Sequence, residues 1–122
     1  MAIRLVLLCV LLASCGGGGS STSPTPTSPN TFRISSSGTI SPAEMTVAPG
    51  TRVLFVNDHS RRHDMSSDPH PDHTDCPEIN QVGALNTGQT RETGNLVAVR
   101  TCGFHDHDDP DNSGLRGRIV IR

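Results

Sequence analysis

Two polar stretches hold nearly all the side chains of this 122-residue sequence that could bind a metal or attack a substrate. Residues 57–78 carry four His, one Cys and six carboxylates, and residues 102–111 carry two His, one Cys and four carboxylates. All six His and ten of the twelve acids therefore fall in two segments, a clustering that ordinary solvated loops do not require. Within the second stretch, Cys102-Gly-Phe-His105 sets a thiol and an imidazole three residues apart after a strand-like run. If the backbone turns there, both reach one ion, and His63 from the first stretch completes a trigonal set suited to copper. His70, His73 and Cys76, at three-residue intervals on a Pro-interrupted loop, are further candidate ligands for a second copper or zinc ion. His107 could reach the same metal as His105 or none. For these loop residues, as for His59 and Met65, the competing reading is simple solvation or packing. Hydrolytic signatures are missing: there is no nucleophile elbow, no HExxH and no phosphate loop, so the sequence does not read as an enzyme.

The elements that must position these groups alternate with period two. Thr31–Ser35, Met45–Val47 and Arg118–Ile121 alternate apolar with polar, and Arg52–Asn57 and Asn95–Arg100 are runs rich in β-branched residues. Pro49-Gly50 and Asn86-Thr-Gly88 are turn signals between them. No window shows a helical stripe, so the spacing predicts an all-β sandwich or barrel. With three Phe, no Trp and no Tyr, its core is thin, and a disulfide or bound metal would reinforce it. All ten cations are Arg, and the net charge of −2 excludes a binder of nucleic acid driven by backbone charge.

The N-terminus reads as an address. Residues 1–14 have one cation, Arg4, an apolar run from Leu5 to Leu12 and then small residues, the pattern of a secretory signal peptide. Leu12-Ala13-Ser14-Cys15 resembles the bacterial lipobox, which implies cleavage before Cys15 and its lipidation. Residues 15–31, the anchor Cys plus a Gly/Ser/Thr/Pro tether, then hold a domain spanning residues 32–122 away from a membrane. Cys9 departs with the signal, and two cysteines remain in the domain. The expected location is the periplasm or the cell surface, with the chain a monomer attached to the membrane by its lipid.

Four motifs in order give the domain a resemblance. Val47-Ala-Pro-Gly-Thr-Arg-Val-Leu-Phe-Val-Asn57, His63, Cys102-Gly-Phe-His105 and Gly114-Leu-Arg-Gly-Arg-Ile-Val-Ile121 are together similar to the plastocyanin-like cupredoxins. The resemblance covers about residues 40–122. It implies a Greek-key β-sandwich with one copper ion held by His63, Cys102 and His105, used for one-electron transfer with a redox partner protein. Leu115 stands where that family usually has an axial Met, so the implied site lacks this ligand. Arg100 shares Cys102's face where the family puts a core aromatic, so a bulge or a carboxylate partner is expected there. Cys76 opens an alternative: in an oxidising export compartment it pairs with Cys102, removing the thiolate. The chain would then acquire, store or deliver copper through His63, His70, His73, His105 and His107, exchanging it with a donor or acceptor. A metal-free sandwich serving as a surface interaction module is the third reading.

Overall fold

Short strands with alternating burial build two sheets. The computed structural model describes residues 18, 19 and 29–122; the expected signal peptide with Cys9, the expected lipidation site Cys15 and most of the expected tether lie outside the described residues. One sheet has the order β2-β1-β4-β7, formed by β1 (Thr31–Ile34), β2 (Ile40–Ser41), β4 (Leu54–Asn57) and β7 (Thr90–Glu92). The other has the order β3-β9-β8-β5-β6, formed by β3 (Glu44–Val47), β5 (His63–Ser67), β6 (Gly83–Leu85), β8 (Arg100–Asp106) and β9 (Gly117–Ile121). β1 runs parallel to β4 and β3 parallel to β9, while the remaining pairs are antiparallel.

The two sheets close over the three Phe. Phe32 and Phe55 come from the first sheet and Phe104 from the second, all fully buried, with ring centroids 4.8–5.2 Å apart. Full burial of each such side chain contributes about 1.5–3 kcal/mol, and tilted or edge-on ring contacts add about 0.5–1.5 kcal/mol per pair. Ile34, Val53, Ile119 and Ile121 pack into the same core, with Leu85, Leu96 and Ile79 among others. Gly117 lets Phe104 in, because a Cβ at that position would lie 2.4 Å from Phe104 Cζ and 2.9 Å from the Ala43 carbonyl oxygen.

Two expectations about local structure need correction. The run Asn95–Arg100 is not a strand of its own: before Arg100 opens β8 only Leu96 pairs, with Thr51, and Val97 and Val99 are 58% and 71% exposed. The backbone does not turn at Cys102-Gly-Phe-His105 either, because β8 runs straight through from Arg100 to Asp106. Arg100 does find a carboxylate, with Nη2 2.7 Å from Glu78 Oε2.

Candidate metal site

The straight course of β8 decides which side chains can meet. Successive residues of a strand face opposite sides, so Cys102, Phe104 and Asp106 point into the sandwich while Gly103 and His105 point outward. Cys102 and Phe104 are members of the core cluster. On β5, His63 and Met65 face inward, Met65 opposite Asp106, and Ser66 lies opposite His105 on the outer side. His63 and His105 therefore occupy opposite faces of one sheet. Cys102 is bonded to Cys76, with their Cα atoms 5.7 Å apart, and both are fully buried. The expected set of His63, Cys102 and His105 is thus not assembled: its thiol is spent in a disulfide and its two imidazoles are separated by the sheet. The same disulfide removes Cys76 from the candidate ligands.

On the inner side, His63 is held in a hydrogen-bonded chain. Its Nδ1 lies 2.7 Å from Asp106 Oδ2, and its Nε2 lies 2.8 Å from His59 Nδ1. Asp106, 2% exposed, also accepts from the backbone N–H groups of Asp64 at 2.9 Å and Asp108 at 3.1 Å. Asn57 shapes the loop that brings His59 in: its Oδ1 accepts from His59 N, and its Nδ2 donates to the carbonyls of Arg61 and Leu85. Leu115 lines the same cleft, buried and non-coordinating, at the end of the short turn Ser113–Leu115.

The outer side gathers four histidines. One nitrogen each from His70, His73, His105 and His107 lies within 4.8 Å of all the others. His105 comes from β8, and His107 follows it at the same parity, with its N–H donating to the Asp64 carbonyl at 2.6 Å. His70 and His73 come from the loop after β5, which Asn80 clamps. The Asn80 side chain accepts from Ser67 N at 2.8 Å and donates to the His73 carbonyl at 2.9 Å. His73 has φ 53°, a left-handed backbone costing about 1–2 kcal/mol for a residue with a Cβ. Its N–H donates to the Pro69 carbonyl at 2.7 Å, helping to hold it there.

Three features suit this cluster to an ion. First, His105 is 1% exposed, its Nδ1 lies 2.6 Å from Asp68 Oδ1, and its buried Nε2 has no hydrogen-bond partner. A carboxylate on one ring nitrogen fixes the proton there and leaves the other lone pair for a metal. Second, His73 Nε2 and His107 Nδ1 are 3.2 Å apart with ring centroids at 4.9 Å, whereas the His59–His63 pair has nitrogens at 2.8 Å but centroids at 5.1 Å. The His73–His107 separation is within hydrogen-bond reach and is also short enough for both nitrogens to meet one ion. Third, burial, and then the neighbouring imidazoles His105, His107 and His70, push the His73 pKa below its ordinary value against a weaker pull from Asp64. The neutral ring is the ligating form.

No protein-family model matches the chain, and no curated protein matches it significantly. Solved structures do. A purple cupredoxin from Nitrosopumilus maritimus matches with a TM-score of 0.58 at 20% identity, over 75% of this chain and 98% of that one. The fold is cupredoxin-like. Plastocyanin from Dryopteris crassirhizoma matches at 0.59 and 14% identity, over 75% and 99% of the two chains. A Cu-containing nitrite reductase from Thermus scotoductus matches at 0.57 and 18%, over 78% of this chain and 22% of its own. The cupredoxin-like sandwich thus carries its histidine cluster on the outside of the second sheet, while the motif-matched His63 is tied to His59 and Asp106 within it.

From the sequence, His105 belongs either with His63 and Cys102 or, when Cys102 pairs with Cys76, with His63, His70, His73 and His107; the structure brings His70, His73, His105 and His107 together and leaves His63 out. The parity of His105 and His107 along an extended chain is the signal that sets those two on one face. Asp68, Gly103, Asn80 and Asp106 were not singled out.

Proposed function

We propose that this cupredoxin-like domain binds one copper ion through His70, His73, His105 and His107, and that it takes up, holds or delivers copper at the surface where the tether presents it. The observation that carries this reading is that one ring nitrogen each of His70, His73, His105 and His107 lies within 4.8 Å of the others, beside a buried His105 whose Nε2 has no hydrogen-bond partner. The donor set is all borderline nitrogen, which suits Cu(II), and among first-row divalent ions copper binds such sets most tightly. With both domain thiols in the disulfide, a bound ion supplies nitrogen-ligated copper chemistry without thiolate character. Three of the ligands sit on exposed or half-exposed positions, within reach of a copper donor or acceptor. The signal and lipobox pattern of residues 1–15 supports an exported, lipid-anchored location for such a carrier.

A second reading, one-electron transfer at the same ion, is favoured by the fold. A fern plastocyanin with the same fold, at a TM-score of 0.59, has been obtained in oxidised and reduced forms. Copper titration against a competing chelator separates the possibilities. Replacing any one of the four outer histidines by Ala should weaken binding, and replacing His63 should not. A reversible one-electron wave of the copper-loaded protein would support the electron-transfer reading, and its absence would leave copper carriage. Failure to take up copper in oxidised and reduced protein alike would leave the metal-free interaction module.

A further inference from the structure

We infer that Asp68 is the positioning residue of the four-histidine site, and that Gly103 is glycine because Asp68 needs the space above it. This inference rests on the four-histidine reading and says what presets it. Asp68 follows β5, its N–H donates to the Gly103 carbonyl at 3.0 Å, and its side chain lies across the outer face of β8 to meet His105. The side chain is 40% exposed while that of His105 is 1% exposed, so the carboxylate is not there to fill a core. What it does is accept the Nδ1 proton of His105, which commits the ring to one tautomer and leaves the buried Nε2 as a lone pair for a metal.

Gly103 and His105 share the outer face of β8, two residues apart. A Cβ on residue 103 would lie 2.1 Å from Asp68 Oδ2 and 3.0 Å from its Cγ. No real contact is so short, so any larger residue there must displace the carboxylate. Gly103 has an ordinary backbone and no positive φ. Its requirement is therefore space, and the atom that occupies that space belongs to the group that orients the buried ligand.

The test is a double-mutant cycle read on Cu(II) affinity, with a second readout on the metal-free protein. Asp68→Ala should weaken copper binding about 10–100-fold, the usual effect of removing a carboxylate behind a ligating histidine. Gly103→Ala should weaken it by a similar factor, and Asp68→Ala with Gly103→Ala should match Asp68→Ala alone, since the clash partner is gone. Asp68→Asn, which keeps an acceptor oxygen, should recover part of the loss. In the metal-free protein, nitrogen-15 spectra should show His105 as the Nδ1–H tautomer, shifting toward Nε2–H in Asp68→Ala, which needs no Gly103 variant to fold. Copper affinity of Asp68→Ala within twofold of wild type, or an unchanged tautomer, would overturn the positioning role while His105→Ala still abolishes binding. If His105→Ala also leaves binding intact, the four-histidine reading fails and the positioning role with it.

Discussion

Opening the Cys76–Cys102 bond should cost stability without costing the metal. The bond closes a loop of sequence separation 26 between the ligand-bearing loop after β5 and the strand β8. In the chain-entropy model, such a loop contributes about 3.5 kcal/mol at room temperature by restricting the unfolded chain. With a urea dependence of about 1–3 kcal/mol per molar for a domain of this size, the unfolding midpoint should fall by roughly 1–3 M on reduction. Reduced wild type, kept under thiol reductant, isolates the link itself. Cys76→Ala with Cys102→Ala adds the loss of two buried sulfurs and should be somewhat less stable again. Urea titration of metal-free protein, followed by copper titration of the folded variant, measures both halves. A midpoint unmoved by reduction would refute the staple. Loss of all copper binding in the folded double variant would refute the assignment of Cys102 to structure, because it would make the sulfur a ligand.

Other perturbations separate the inner and outer histidines. His63→Ala should destabilise the domain by about 1–3 kcal/mol, since the buried Asp106 carboxylate loses one of its hydrogen bonds, while copper affinity stays within twofold; thermal melts and chelator competition check this. His73→Gly should leave the metal-free protein as stable or up to about 1 kcal/mol more stable, by relieving the left-handed backbone, while weakening copper binding. Gly117→Ala should destabilise by about 1–3 kcal/mol, because Phe104 and the Ala43 carbonyl occupy the space its methyl needs; the readout is the urea midpoint. His73 titrates lower in the folded chain than its ordinary 6.5, so the unfolded chain takes up that proton more readily. Its contribution to stability is therefore complete above pH 6.5 and is lost as the pH falls through the folded value. Copper should be released over the same acid range, as protons compete for the ring.

The architecture was largely legible in the sequence because alternation and burial are local. Thr31–Ser35, Met45–Val47, Arg52–Asn57 and Arg118–Ile121 each overlap a strand of the structure, and the Gly50 and Gly88 turns adopt positive φ. Asn95–Arg100 misled because β-branched residues also occur in exposed segments, and composition does not say whether a partner strand lies alongside. His63–Ser67 was missed as a strand because its polar residues are buried by hydrogen bonds, not by apolarity. Ser67, for example, accepts from Cys76 N.

The site was half legible. The residues were present in the two stretches, but their partition depended on whether Cys102–His105 turns or extends. In a turn, thiol and imidazole three apart converge; in a strand, they point to opposite faces. That one backbone choice moves His105 from His63 to His70, His73 and His107, and frees Cys102 for Cys76. It is set by the pairing of β8 with β9 and β5, which is tertiary and not written in the motif.

On the proposed reading, copper is held by nitrogen alone. X-ray absorption at the copper edge, on oxidised protein loaded with one equivalent of Cu(II), measures the donor atoms directly. A shell of imidazole nitrogens, no sulfur and no intense visible colour are expected. A sulfur scatterer at thiolate distance, accompanied by intense absorption, would contradict that reading.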